Sequence, residues 1–215
     1  MTTLRFPRGL YGVSPEWDDT ERLLAALEAA AAGGMSAFQL RRKSAPPEAV
    51  IEQARKVVQR CRELGVVSII NDDWRLAALV DADGVHLGRD DGSLADARVA
   101  LGPGRIIGCS CYNDPSRAER AMLADVDYVA FGAMYPSRVK PDAVRALPEH
   151  LQEARRIVER TAEGPRPAVV AIGGITPENA ADVAAAGADS IAVISSLFLA
   201  PDIEAAARRC LQAFS

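Results

Sequence analysis

The stretch SIINDDWRLAALVDADGVHLGRDD, residues 68–91, closes two apolar runs with a pair of aspartates each, Asp72-Asp73 and Asp90-Asp91. Carboxylates are hard oxygen ligands, and Mg2+ takes one or two of them while substrate phosphate and water complete its octahedron. One aspartate from each pair, presented by neighbouring strands, would supply such a site. Its neighbour would then cap the following helix or face solvent. Four helix N-caps are the alternative, a common duty for Asp before helices.

A second set of candidates is cationic. Arg41, Lys43 and Lys140 also follow apolar runs, and on one face they would neutralise a diphosphate, Arg by planar two-point contact and Lys as a point charge. Arg42 and Arg138 read as ordinary solvated charge. The segments AIGGITPEN and AVISSLF suggest a further anion site. Gly173 and Gly174 would let backbone N–H groups approach a phosphate, while Ser195 and Ser196 add hydroxyls and helix N-terminal amides. A glycine pair serves a tight turn as well.

Other reactive residue types carry less. His86 lies on an apolar strand and reads as a hydrogen-bonded core residue; His150, in a charged helix, reads as surface. Cys109 and Cys111 flank Ser110, so strand alternation points both thiols away from any site that Ser110 faces. Trp74 and the methionines read as core. The four cysteines, Cys61, Cys109, Cys111 and Cys210, have neither CxxC spacing nor disulfide density, and two sulfurs without a nearby His make a poor zinc site.

The elements that must position these groups form a repeating series. GLYGVS (9–14), AFQLR (37–41), VVSIIN (66–71), DGVHLG (83–88), RIIGCS (105–110), DYVAFG (127–132), AVVAIGG (168–174) and SIAVIS (190–195) read as strands. Between them lie helical stretches such as TERLLAALEAAAAGG, APPEAVIEQARKVVQRCRELG, TPENAADVAAAG and PDIEAAARRCLQAF, many opened by Asp, Ser or Thr before Pro or acid. Strict alternation of this kind predicts parallel βα units, and eight of them in 215 residues predict a single (β/α)8 TIM barrel domain over 1–215. An open doubly wound sheet is the alternative. In a barrel the site lies where the strands end. There the chain places Arg41 to Lys43, Asn71 to Asp73, Arg89 to Asp91, Ser110, Ser137 to Lys140, Gly173-Gly174 and Ser195-Ser196.

Composition excludes several classes of function. A formal charge of -4 and a pI near 5.3 argue against a nucleic-acid surface. No apolar stretch reaches the roughly 20 residues that span a bilayer, and the N-terminus lacks a signal-peptide core, so a cytoplasmic protein without membrane partners is expected. A homo-oligomer is compatible with the sequence.

Seven segments in order, FQLRRK, INDD, GVHLGRDD, GCS, FGAMYPSRVKP, AIGGITPEN and AVISSLF, resemble the thiamine phosphate synthase family across nearly the whole chain. The resemblance implies a (β/α)8 fold and a transferase joining 4-amino-2-methyl-5-hydroxymethylpyrimidine diphosphate to 4-methyl-5-(2-hydroxyethyl)thiazole phosphate, with Mg2+ as cofactor. It implies a dissociative reaction in which pyrophosphate leaves before the thiazole nitrogen attacks, so no strong protein nucleophile is needed. Motif by motif, Asp72 and Asp91 fall on metal positions and Gln39, Arg41, Lys43 and Asn71 on pyrimidine diphosphate positions. Ser110 falls beside the pyrimidine and Lys140 on the diphosphate. Ser137, Gly174, Ile194 and Ser195 fall on substrate positions, Gly174 and Ser195 at the thiazole phosphate.

Several residues depart from the family pattern. Arg42 stands where an acid is frequent, Arg89 where Gln is usual, and CSCYN lacks a His often found after the serine. Val139 stands where the family often has Thr, which would weaken phosphate binding by ~1.5–3 kcal/mol unless Arg138 or water compensates. Pro136, Pro141 and flanking charge make PSRVKPDAVRA a candidate mobile lid. Two rival readings share the barrel: a thiazole tautomerase-like paralogue doing proton transfer, and a non-catalytic barrel that binds thiamine precursors.

Overall fold

The computed structural model describes residues 3–136, 142–161 and 164–215 and contains eight parallel strands closed into a barrel. Strands β1 (Gly9–Val13), β2 (Ala37–Leu40), β3 (Val67–Asn71) and β4 (Gly84–Leu87) pair in sequence order. Strands β5 (Ile106–Tyr112), β6 (Tyr128–Phe131), β7 (Ala168–Ile172) and β8 (Ser190–Val193) continue the series. The ring closes where Gly9 and Gly12 of β1 stand opposite Ser190 and Val193 of β8. Helices α1 (Thr20–Ala32), α2 (Pro47–Leu64), α3 (Trp74–Leu79), α4 (Leu94–Leu101), α5 (Pro115–Met122), α6 (Pro148–Thr161) and α7 (Ala180–Ala185) follow strands β1 to β7 in turn. Strand β8 is followed by α8 (Ser195–Phe198) and α9 (Ile203–Leu211). This is the (β/α)8 barrel that the alternation predicts, and closure of β8 on β1 rules out the open sheet.

The two-residue period of each strand sorts its side chains between two cores. Leu10, Phe38, Ile70, Val85, Ile107, Val129 and Val169 pack outward beneath the helices. Tyr11, Ile69, Tyr128, Val170 and Ala192 fill the barrel interior over a floor made by Phe6. Gly108 makes room for this filling, since a Cβ there would lie 1.9 Å from the Tyr128 ring. Helix starts follow the side-chain oxygens: Asp73 accepts from Arg75 N at 2.8 Å and Leu76 N at 3.0 Å, and Asp19, Ser93, Asp114 and Asp202 cap in the same way.

The N-terminal face of the barrel is held by three aspartates that directly precede even-numbered strands. Asp83, Asp127 and Asp189 each accept from a backbone N–H of the preceding strand, Ser68, Ile107 and Val169, at 2.8, 2.8 and 2.9 Å. Asp127 also pairs with Arg98 at 2.6 Å and Arg5 at 2.9 Å. Asp189 pairs with Arg166 at 2.8 Å and Arg155 at 2.6 Å. Asp127 and Asp189 are buried and fully paired, Asp83 is exposed, and together they lock the strand ends at the end of such a barrel that serves stability.

Element boundaries differ from the sequence reading where glycine or a turn intervenes. Strand β7 stops at Ile172 because Gly173 and Gly174 adopt φ of +98° and +64°. Strand β5 runs on to Tyr112 through a register shift between Ser110 and Tyr112. Helix α7 begins at Ala180, because Asn179 folds back to accept from Thr176 N at 2.9 Å. Among the described residues no helix is long and apolar enough to cross a membrane.

Candidate active site

The strand C-termini surround a cavity of about 890 Å3. Gln39, Arg41, Lys43, Asn71, Asp72, Asp91, Ser110, Gly174, Ile194 and Ser195 all lie on its wall. Ser137, Arg138, Val139 and Lys140 lie outside the described residues. The described C-terminal part of the lid segment is tied to the end of β6: Ala133 N donates to Val144 O at 2.8 Å, and Ala146 N to Ala133 O at 3.0 Å.

The acidic pairs divide as their types allow. Asp73 caps α3 and Asp90 is exposed, whereas the Asp72 and Asp91 carboxyls face each other within hydrogen-bonding reach. Asp72 is turned into the mouth by a left-handed backbone, φ +67°, which Asp tolerates better than most residues. Its Oδ2 is 2.6 Å from Lys43 Nζ. Asp91 Oδ2 accepts from Gly88 N at 2.7 Å. Burial pushes the Asp72 carboxyl up, but hydrogen bonds with Lys43 and Asp91 and the Lys43 charge outweigh it and hold the group below its ordinary value. Burial and then the Asp72 hydrogen bond push Asp91 above its own, against the Gly88 N–H.

Two carboxyls pressed together, sharing a hydrogen bond and offering hard oxygens, fit a divalent cation of the Mg2+ type. Among the described residues no cluster of three or more His, Cys, Asp or Glu could hold a metal. Asp72 and Asp91 would offer such a cation two carboxylates, with phosphate and water completing its shell, as Mg2+ prefers.

Beside the carboxyls, the cationic loop is fastened to the β1–α1 loop. Glu16 Oε1 accepts from Arg41 at 3.3 Å and from Lys43 N at 2.9 Å. Ser14 Oγ accepts from Arg41 N at 2.8 Å. Arg42 corrects its reading as solvated charge: its side chain is 5% exposed and pairs with Asp18 at 2.6 Å and Glu16 at 3.6 Å. It turns away from the cavity and anchors the loop whose neighbours line it. Nothing in the spacing of Glu16 announces this role, because its partners lie 25 and 27 residues away.

On the opposite wall, Gly174 is required by packing as well as by conformation. A Cβ there would meet Pro136 O at 2.5 Å and Tyr135 Cβ at 2.7 Å. Ser195 opens the four-residue α8, while Ser196 Oγ is committed to Ile175 O at 2.5 Å. At the bottom of the cavity His86 is hydrogen-bonded on both ring nitrogens, to Tyr128 Oη at 3.0 Å and Ser110 Oγ at 2.9 Å. That agrees with a hydrogen-bonded core position, yet His86 and Tyr11 also line the cavity, which their apolar sequence setting conceals. Arg89 packs its guanidinium over the Tyr112 ring, 5.0 Å from the centroid. The Cys109 and Cys111 thiols are buried on the outer side of β5.

Known proteins resemble the chain over its whole length. The family model for thiamine monophosphate synthase matches residues 10–197. Thiamine-phosphate synthase of Bordetella pertussis (strain Tohama I) is 60% identical over 215 residues, covering 100% of this chain and 99% of that protein. Its counterpart in Thiobacillus denitrificans is 50% identical, covering 98% and 96%. Among solved structures, thiamine phosphate pyrophosphorylase from Pyrococcus furiosus superposes with a TM-score of 0.81 at 32% identity, covering 97% of this chain and 96% of that one. With its family model matched over nearly the entire barrel, the chain belongs to the thiamine monophosphate synthase family.

Proposed function

We propose that this protein is a thiamine phosphate synthase, a transferase that joins 4-amino-2-methyl-5-hydroxymethylpyrimidine diphosphate to 4-methyl-5-(2-hydroxyethyl)thiazole phosphate and releases pyrophosphate. The observation that carries the reading is the Asp72–Asp91 carboxyl pair beside Lys43 and Arg41 on one wall of the cavity. In the reaction the bond between the pyrimidine methylene carbon and the diphosphate oxygen breaks, and its electron pair leaves on the diphosphate. The thiazole nitrogen then gives its lone pair to that carbon, so neither step needs a protein nucleophile or a proton transfer.

The work left to the chain is electrostatic. Lys43 and Arg41, with Lys140 from outside the described residues, offset the charge that gathers on the departing diphosphate. Asn71 sits at the end of β3 and offers neutral hydrogen bonds to the same group. Asp72 and Asp91 would hold Mg2+, which supplies a further divalent positive charge to the diphosphate. Gly174, Ile194 and Ser195 would form the thiazole phosphate side, with Gln39 and Ser110 at the pyrimidine; Ser137, expected at a substrate position, lies outside the described residues. The apolar inner wall of Val170, Ile172 and Ala192 lines the same cavity, and exclusion of water there protects a carbocation that water would otherwise capture.

A tautomerase-like enzyme would leave the paired carboxyls and Lys43 without a task, and a precursor-binding barrel would hold its ligands without turnover. Incubating the purified protein with both substrates and Mg2+ tests the reading. Thiamine phosphate and pyrophosphate in equal amounts support it; isomerisation of the thiazole alone, or binding without product, overturns it.

A further inference from the structure

A second cavity, of about 400 Å3, lies between the first turn of α4 and helix α5, beside the loop that follows β4. Gly88, Arg89 and Ser110 border both it and the substrate cavity. Among the described residues its wall carries three cations, Arg89, Arg117 and Arg120, and no carboxylate. In a chain with a formal charge of -4, such a wall locally reverses the overall charge.

Two of the three guanidiniums are held together without an acid. Arg89 lies 5.0 Å and Arg117 5.3 Å from the centroid of the Tyr112 ring, and neither forms an ion pair with a described residue. The ring attracts both cations, which offsets part of their mutual repulsion. Arg117 spends only Nε, on Ser110 O at 3.3 Å, and keeps both Nη groups; the Arg89 guanidinium makes no hydrogen bond to a described residue. Arg120 is partly committed, since Nη1 donates to Ser116 Oγ at 2.9 Å and Nη2 lies 3.4 Å from Asp114 Oδ2. An anion between Arg89 and Arg117 would relieve the remaining repulsion and take planar two-point contacts, the geometry that guanidinium offers a phosphate. Leu94, Ala121, Leu123 and Ala124 make the other side of the wall apolar.

We propose that this cleft is a binding site for a small organic phosphate, a phosphate monoester with a compact apolar or aromatic body, separate from the substrate cavity. The phosphate meets Arg89 and Arg117, and the body covers Leu94, Ala121 and Leu123. A volume of about 400 Å3 is that of a small-molecule pocket, more than a bare phosphate fills. Leu123 is 90% exposed in the open cleft, so covering it removes apolar surface from water that free phosphate would leave wet. The inference goes beyond the synthase reading and does not rest on it, because Arg117, Arg120 and Leu123 take no part in that reaction.

Titration with phenyl phosphate, and separately with inorganic phosphate, followed through the backbone amide NMR signals of the full chain, tests the site. The expected result is saturable shifts at Leu94, Ala121 and Ala124, with inorganic phosphate bound there about threefold more weakly or worse. Arg117→Gln is expected to weaken phenyl phosphate at those amides about tenfold or more. Leu123→Glu should do the same by setting a carboxylate at the cleft, and its exposed position keeps the fold and the turnover intact. Lys43→Gln, in the substrate cavity, should leave that affinity unchanged. Shifts confined to Gly174, Ser195 and their neighbours, or no saturable shift at all, overturn the proposal. So does an affinity that survives in folded Leu123→Glu or disappears in folded Lys43→Gln, and so does inorganic phosphate bound as tightly as phenyl phosphate.

Discussion

Lys43 Nζ lies 2.6 Å from Asp72 Oδ2, so a lysine from the loop after β2 reaches a carboxylate at the end of the adjacent strand β3. The contact couples the cationic and acidic halves of the site. Lys43→Gln removes a charge from the diphosphate and a partner from Asp72. The expected loss in kcat is about 10- to 100-fold, the size of a hydrogen bond to a charged group. Steady-state kinetics at saturating Mg2+ check it.

Glu16 holds Arg41 and Lys43 N from the neighbouring loop. In Glu16→Gln the loop loses its anionic clasp while the substrate ligands remain. KM for the pyrimidine diphosphate is expected to rise about three- to tenfold with kcat little changed, a modest effect because the pair is partly exposed. Varying each substrate in turn checks that the thiazole KM stays constant.

The acid pair predicts a pH-dependent stabilisation by Mg2+. The folded-state pKa of Asp91 is raised by burial and by Asp72. Its contribution to stability is therefore present at acid pH and lost as pH rises through the raised value. A cation between the carboxylates reverses that loss. The gain in Tm on adding Mg2+ is expected to be larger at neutral pH than near pH ~4, where protons compete for the same oxygens. Thermal melts at both pH values, with and without Mg2+, measure it.

At the other end of the barrel, Asp189→Ala strips Arg166 and Arg155 of their shared acceptor and leaves Val169 N–H without its side-chain partner. The expected destabilisation is about 3–5 kcal/mol, or a fall in Tm of about 10 °C. Activity well below the melting temperature should stay within about twofold, since Asp189 lies off the cavity wall. Denaturant titration and a low-temperature assay separate the two effects.

The barrel was legible because each strand announces itself twice, by a short β-branched run and by the polar residues that close it. INDD and HLGRDD are the clearest cases, since the same residues that stop the strand line the mouth. Strand ends were less legible where a backbone conformation decides them: the positive φ of Gly173 and the register shift at Ser110 leave no mark on hydrophobic pattern. The contributions of Glu16 and of the Tyr11–Tyr128 pair were hidden for another reason. Tyr11 and Tyr128 are 117 residues apart and each sits in an apolar run, so only closure of the barrel makes them hydrogen-bond partners. Arg42 shows the converse. Charge beside two other cations reads as solvated, yet the Arg42 side chain is buried and paired with Asp18 and Glu16.

In the proposed reaction Asp72 and Asp91 act together on a cation that grips the departing diphosphate. The most direct measurement is Mg2+-dependent formation of thiamine phosphate by wild type and by Asp91→Ala, with circular dichroism and melting confirming that both are folded. The expected result is product that requires Mg2+ in the wild type and a loss of about 100-fold or more in Asp91→Ala, whose partly solvated carboxyl contributes little to the fold. Wild-type turnover in folded Asp91→Ala at the same Mg2+ concentration would contradict it.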